Sequence, residues 1–73
     1  NTFEPADYET FRRVVAQDWA YVWWCGDQEC EAAIKDDTKA STRCIPLEQP
    51  GGEGLCIRCG QRATEKAYFA RAY

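Results

Sequence analysis

Four cysteines form two closely spaced pairs, and they are the residues of this sequence best suited to chemistry. Four residues separate Cys25 from Cys30, and two separate Cys56 from Cys59. Zn²⁺ takes four ligands in a tetrahedron, and thiolates at ~2.3 Å suit it, so two short loops can each supply two sulfurs to one ion. The spacing therefore predicts a zinc site made of these four cysteines.

Other interpretations of the cysteines stay open at this point. Two local disulfides or free cysteines in the core are alternatives, although the chain has five cysteines and an odd number fits disulfides poorly. A redox role for Cys56 and Cys59 is weaker, because a thioredoxin-like motif belongs at the end of a βα turn and has no companion pair. No segment resembles a signal peptide, which indicates a reducing, cytoplasmic location where paired cysteines bind metal more often than each other.

The fifth cysteine, Cys44, stands alone between Arg43 and Ile45 on a predicted strand. We expect a small buried hydrophobic residue there, with a fifth ligand or a reactive thiol as the alternatives. Replacing Cys44 should therefore leave the predicted metal in place.

The sequence offers no candidate catalytic residue. A catalytic zinc keeps one position open for water, usually with histidine or carboxylate ligands nearby, whereas this chain has no histidine. Gly51, Gly52 and Gly54 follow a proline and precede no long helix, so they do not predict a phosphate-binding loop. Four thiolates close a metal site, and we expect the zinc to be structural.

The elements that must position the first cysteine pair follow from periodicity and capping. Residues 5–17 are predicted as an amphipathic helix, because apolar residues recur at spacings of three and four. Residues 19–25 are aromatic and β-branched, and they predict a strand buried on both faces. Asp27 is a natural N-cap for a second helix that runs to about Lys39, which puts Cys30 in the first turn, where the helix dipole favours a thiolate.

The second half of the chain predicts a sheet edge and a turn for the second pair. Residues 41–47 alternate as a strand, which Pro46 restricts to an edge or a strand end. Residues 49–54 form a loop by composition, and residues 63–73 a terminal strand. The predicted fold class is α+β, with two helices packed on a short, mostly antiparallel sheet of about three strands.

Between that loop and the terminal strand, residues 55–61 hold Cys56 and Cys59 in a turn. Gly60 directly follows Cys59, as in a knuckle turn. Glycine can take positive φ there and let backbone N–H groups point at sulfur.

Length and charge set the remaining limits. A chain of 73 residues forms one domain, here residues 1–73, and at this size folding buries only roughly 60% of the surface of the unfolded chain, so a structural metal is a typical supplement. The formal net charge is −3 and no basic stripe is present, so direct binding of nucleic acid is not expected. The longest apolar run, residues 19–25, is far short of the ~20 residues that span a bilayer. The chain begins at Asn1 and has no methionine, and we expect it to be a piece of a longer protein.

Five segments in this order resemble the C-terminal zinc domain of prolyl-tRNA synthetases of the archaeal and eukaryotic type. They are residues 24–31 (WCGDQECE), Lys35, residues 42–47 (TRCIPL), residues 54–60 (GLCIRCG) and residues 68–73 (YFARAY). The resemblance implies a class II aminoacyl-tRNA synthetase that activates proline with ATP and Mg²⁺ and charges tRNA(Pro). It also implies a catalytic domain and an anticodon-binding domain in the same polypeptide, and a homodimeric parent enzyme.

The resemblance also assigns roles to single residues. Cys25, Cys30, Cys56 and Cys59 align with the metal ligands of the family, and Cys44 aligns with a position that is not a ligand. Chains of the family end in tyrosine, and this sequence has Tyr73 at the corresponding position. The resemblance implies that the terminal carboxylate approaches the catalytic site of the parent enzyme. No catalytic motif of the family falls within these 73 residues, so whether the chain counts as an enzyme depends on its parent.

Two functions therefore remain at the level of sequence. The first is a structural domain of a proline–tRNA ligase, and the second is an independent zinc-knuckle module that binds other proteins. A reading frame that continues upstream of Asn1 with synthetase motifs would favour the first, and a start codon directly before Asn1 the second.

Overall fold

The computed structural model describes residues 1–71, which form an α+β domain. The helices are α1 (Tyr8–Val15) and α2 (Gln28–Thr38). The strands are β1 (Thr2–Phe3), β2 (Trp19–Trp24), β3 (Ala40–Cys44), β4 (Gly54–Leu55), β5 (Arg62–Ala63) and β6 (Glu65–Arg71). Four strands form one sheet in the order β1-β2-β6-β3, and β4 pairs with β5 in a separate hairpin.

The expected class, two helices on a mostly antiparallel sheet, is confirmed. The β2–β6 and β3–β6 pairs are antiparallel. The main sheet has one strand more than expected, because β1 adds a parallel edge beside β2, with Thr2 opposite Trp19 and Phe3 opposite Ala20. Two residues are too few to show a periodic pattern in sequence.

The first helix is shorter than the predicted residues 5–17. Asp7 is its N-cap, and the Asp7 carboxylate accepts a hydrogen bond from the backbone N–H of Thr10 at 2.8 Å. That bond holds the pKa of Asp7 below its usual value. Pro5 therefore precedes the helix, and the backbone N–H of Asp18 closes the other end on the carbonyl of Val14.

One face of the sheet packs against both helices and forms the core. Phe11 of α1 and Ile34 of α2 are fully buried in the same cluster as Phe69 of β6. The Phe11 and Trp24 rings both meet the Phe69 ring edge to face, with centroids 5.5 Å and 6.1 Å apart. Such pairs add to the free energy that burial supplies.

The prediction that β2 is buried on both faces is wrong. Alternate residues point to the core, but Trp19 on the opposite face is 44% exposed. No helix covers that face within residues 1–71, and its side chains pack on one another. Tyr21 stacks on Tyr68 with centroids 4.5 Å apart, and the Lys66 ammonium lies 4.3 Å from the centre of the Tyr21 ring. We call Trp19, Tyr21, Trp23, Lys66 and Tyr68 the outer face.

The third strand ends earlier than the predicted residue 47. Its register on β6 shifts between Thr42 and Cys44, and the chain leaves the ladder after Cys44. The side-chain amide of Gln49 then takes the place of a strand: its oxygen accepts from the Lys66 N–H at 2.7 Å, and its nitrogen donates to the Lys66 carbonyl at 3.2 Å. Cys44 is exposed, so the prediction of a buried hydrophobic residue is wrong.

Helix α2 follows the sequence prediction closely. The carboxylate of its N-cap, Asp27, accepts from the N–H of Glu29 at 2.9 Å. Lys39 ends the helix in the left-handed conformation with φ of 69°, and its N–H donates to the carbonyl of Lys35 at 2.8 Å. Neither helix of residues 1–71 combines the length and apolar character needed to cross a membrane.

Candidate metal centre

The first cysteine pair lies at the junction between β2 and α2. Cys25 directly follows the strand, and Gly26 turns the chain with φ of 84°. A residue with a Cβ is strained at that φ, so glycine is required for so short a connection. Asp27 then starts the helix, which places Cys30 in its first turn, as predicted.

The second pair lies in a knuckle at the tip of the β4–β5 hairpin. The N–H of Cys56 donates to the carbonyl of Gln61 at 2.8 Å, and the N–H of Gly60 donates back to the carbonyl of Cys56 at 3.0 Å. Gly60 has φ of 75°, which confirms the positive φ expected after Cys59. The hairpin itself was not predicted, because each of its strands has only two residues.

Contacts with β2 bring the knuckle to the first pair. The N–H of Ile57 donates to the carbonyl of Trp23 at 3.0 Å. Gly54 packs directly against the Trp23 indole, so that a Cβ at residue 54 would overlap the ring. Glycine at this position therefore permits the close approach of the hairpin to the sheet.

The four cysteine sulfurs converge on a small volume. The Sγ atoms of Cys25, Cys30, Cys56 and Cys59 all lie within 4.8 Å of one another, and Cys30 and Cys56 are 3.7 Å apart. Four sulfurs at ~2.3 Å from a tetrahedral zinc ion are about 3.8 Å apart. A disulfide needs about 2.05 Å, and all five cysteines are free. The arrangement fits one metal ion.

The electrostatic surroundings of the sulfurs differ. Burial raises the pKa of Cys30 to about 12, and the neighbouring Cys56 thiol adds to the rise. Burial also raises the pKa of Cys25. For Cys56, burial acts in the same direction, but the backbone N–H groups of Cys59, Arg58 and Cys25 outweigh it and lower the pKa to about 7. These N–H groups favour a thiolate at Cys56. A divalent cation would supply the positive charge that stabilises four thiolates close together.

One polar neighbour of the sulfurs was missed in the sequence. Arg58 lies between the two knuckle cysteines, and its Nη1 is 3.8 Å from the Sγ of Cys30. Its place between Cys56 and Cys59 was visible in sequence, but the direction of its side chain depends on how the hairpin meets α2.

The other predicted site residues lie elsewhere. Cys44 is at the end of β3 and does not belong to the sulfur cluster. Tyr73 lies outside the described residues.

The comparisons with known proteins agree with one another. The profile of the family described as "Prolyl-tRNA synthetase, C-terminal" matches residues 8–73. The proline–tRNA ligase of Roseiflexus castenholzii is 40% identical over 73 residues, which are 100% of this chain and 15% of that protein. The proline–tRNA ligase of Acetoanaerobium sticklandii is 43% identical over 74 residues, which cover 99% of this chain and 15% of the ligase.

A solved structure shares the fold. The prolyl-tRNA synthetase of Cryptosporidium parvum, in complex with L-proline and AMP, superposes with a TM-score of 0.85 at 24% identity. The match covers 99% of this chain and 16% of that protein. The chain thus spans about 15% of the length of these relatives, and by its family profile and its identity to them it belongs to the C-terminal domains of prolyl-tRNA synthetases.

Proposed function

We propose that this chain is the structural zinc domain of a ligase that activates proline with ATP and Mg²⁺ and transfers it to tRNA(Pro). The ligands are Cys25, Cys30, Cys56 and Cys59, and they hold one Zn²⁺. The observation that carries the proposal is the convergence of four sulfurs within 4.8 Å in a member of this family.

The zinc would tie the hairpin to the rest of the domain. Two ligands come from the junction of β2 and α2, and the other two come from the knuckle. Without a metal, the hairpin meets β2 through the hydrogen bond from Ile57 to Trp23 and the packing of Gly54 on the indole, and Cys56 and Ile57 contact the core. A structural zinc ion supplies free energy of folding, because the site does not exist in the unfolded chain.

The chemistry of the ligase belongs, in this proposal, to the remainder of the polypeptide. The chain has no histidine, and four thiolates leave no coordination position for water or substrate. ATP, Mg²⁺ and tRNA(Pro) would bind the catalytic and anticodon-binding domains, in a cytoplasmic and homodimeric enzyme. The terminal carboxylate of Tyr73, placed near the catalytic site by resemblance, stays a prediction.

The outer face supports a close association with those domains. Trp19 is 44% exposed, and the centre of its ring lies 6.1 Å from that of Tyr68, which in turn lies 4.5 Å from that of Tyr21. A contiguous patch of aromatic rings that is partly open to solvent is a feature of surfaces that meet another protein surface. About 85% of the length of the relatives lies outside the matched region, since the match covers 15%. We propose that this remainder covers the outer face.

One experiment compares the 73-residue chain with the full-length ligase that contains it. We expect one zinc per chain in both samples by elemental analysis, and proline-dependent ATP–pyrophosphate exchange in the ligase alone. Oxidative labelling of Trp19, read by mass spectrometry, should be lower in the ligase than in the isolated chain.

Each readout can contradict a different part of the proposal. A folded chain without metal and with two disulfides would remove the zinc site. Exchange activity in the isolated chain would contradict the non-catalytic role. Equal labelling of Trp19 in the two samples would show that the outer face is not covered by the ligase, and a protein partner would then be the alternative.

A further inference from the structure

Arg58 reaches across the candidate metal centre. Its backbone belongs to the knuckle that supplies Cys56 and Cys59, whereas its Nη1 lies 3.8 Å from the sulfur of Cys30, which belongs to α2. The guanidinium therefore links the two halves of the site from the side of the solvent. Cys30 is only 5% exposed, so few water molecules can take the place of this contact.

Arg58 is not engaged by the acidic side chains around it. It borders an open groove together with Tyr8, Ala33, Asp36, Asp37 and Cys59. The Asp37 carboxylate already accepts a hydrogen bond from the Tyr8 hydroxyl at 2.8 Å and lies 3.5 Å from the Nε of Arg12. Among residues 1–71, Arg58 forms no ion pair with a carboxylate, which leaves its guanidinium to the sulfur.

The charge of the loaded site gives this contact its importance. Four thiolates around one Zn²⁺ carry a net charge of −2. A hydrogen bond from an ionised donor to an ionised acceptor is stronger than a neutral one, and partners outside the ligand set orient the ligands of metal sites. Arg58 is an exposed basic residue whose Nη1 lies within hydrogen-bonding distance of one of the four sulfurs.

We propose that Arg58 is an outer-sphere residue of the metal centre, whose guanidinium donates to the metal-bound Cys30 thiolate and offsets part of the negative charge. This inference rests on the proposed zinc site and adds a residue that acts through Cys30 without touching the metal. Its effect is on metal affinity.

The test measures zinc affinity of the chain by competition with a chromogenic chelator. Arg58→Gln removes the charge and keeps a polar side chain of similar length. Arg58→Lys keeps the charge and loses the planar guanidinium. Arg62→Gln is the matched control, because Arg62 lies in β5 beside the knuckle, pairs with Glu53 at 3.4 Å and is exposed.

We expect Arg58→Gln to weaken zinc binding about tenfold, in the range found for outer-sphere partners of metal ligands. Arg58→Lys should fall between Arg58→Gln and the unchanged chain, and Arg62→Gln should change the affinity less than about twofold, as expected of an exposed residue outside the ligand shell. The difference between Arg58→Gln and the unchanged chain should narrow at high salt, because a charge effect is screened and a purely structural one is not. The absorption spectrum of each Co²⁺-loaded variant reports whether the tetrathiolate centre still assembles.

Equal affinities for Arg58→Gln and the unchanged chain would overturn the inference. An equal loss in Arg62→Gln would overturn it too, since the effect would then be one of overall charge. If Arg58→Gln does not assemble the Co²⁺ centre, the zinc affinity of Arg58→Lys is the deciding measurement. A loss of affinity as large as that caused by replacing a cysteine ligand would mean that Arg58 is needed for the fold of the site, and it would overturn the inference. An unchanged chain that binds no zinc is a different result, and it removes the zinc site itself.

Discussion

The sheet and the knuckle of this domain are stabilised by different means. The sheet has a core in which Phe11, Ile34 and Phe69 are fully buried between helices and strands. The knuckle region has two strands of two residues each; Cys56 and Ile57 contact the core, but Leu55 is 68% exposed. Burial can stabilise the first region, whereas the second, under the proposed function, depends mainly on the metal bound by the sulfur cluster. The core of a domain of this size is too small to stabilise every segment of the chain. A metal site can stabilise a segment that packs only partly against the core.

The largest expected effect comes from removing a ligand in the knuckle. Cys56→Ser or Cys59→Ser should abolish tight zinc binding and unfold or greatly loosen the domain, because apparent metal-binding free energies in small zinc peptides are about 10–16 kcal/mol. Cys44→Ala should change the free energy of unfolding by about 0.5 kcal/mol or less, since Cys44 is exposed. Thermal melts and zinc content of the three variants are the measurements.

The same three variants show whether the sheet and the knuckle are stabilised by different means. If Cys56→Ser melted like the unchanged chain, the knuckle would be held by packing and not by metal. Loss of zinc in Cys44→Ala would instead show that the ligand assignment is wrong.

The sequence predicts the structure best where residues act at a fixed spacing. The convergence of the four cysteines, the Asp27 cap and the positive φ of Gly60 were predicted because each follows from a short motif, whereas the role of the cysteines as zinc ligands stays a prediction. The same local logic located β2, but it could not tell that helices cover only one of its faces.

The features that the sequence did not predict share a physical cause. Cys44 was expected to be buried, but a shift in register after Thr42 and the departure of the chain from β6 expose it. Neither is visible without the partner strand. The contact of Arg58 with Cys30 likewise depends on where the hairpin meets α2. Tertiary contacts of this kind leave no periodic signal in the sequence.

A smaller effect is expected where the two regions touch. Gly54→Ala would place a methyl group against the Trp23 indole, so the hairpin or the ring must move. Overpacking of this kind costs about 1–3 kcal/mol. We expect a lower melting temperature and weaker zinc binding, because the shift displaces the knuckle from Cys25 and Cys30. Gly52→Ala is the control, since a Cβ there meets no atom within 4 Å, although φ of 75° adds strain of its own.

The affinity for zinc shows whether the effect of Gly54→Ala reaches the sulfurs or stays within the sheet and the hairpin. A loss of stability with unchanged zinc affinity would mean that the sheet and the knuckle are less closely connected than the structure indicates. Lower affinity in Gly52→Ala as well would point to the loop before the hairpin and not to the Trp23 contact.

The smallest expected effect is at Gln49, which makes its hydrogen bonds with the sheet and the loop before it and not with the knuckle. Its amide makes two hydrogen bonds with the backbone of Lys66 and one with the carbonyl of Pro46, at 2.8 Å. A typical hydrogen bond contributes about 0.5–1.5 kcal/mol net, and water can replace part of each bond in a half-buried site. Gln49→Ala should therefore destabilise the domain by about 1 kcal/mol, measured by urea unfolding of the zinc-loaded chain, with Glu48→Ala as an exposed control. Zinc affinity should be unchanged, because Gln49 supports β6 and does not contact the knuckle. If Gln49→Ala weakened zinc binding as strongly as Gly54→Ala, the two regions would form one cooperative unit, and the distinction between a core held by burial and a knuckle held by metal would fail.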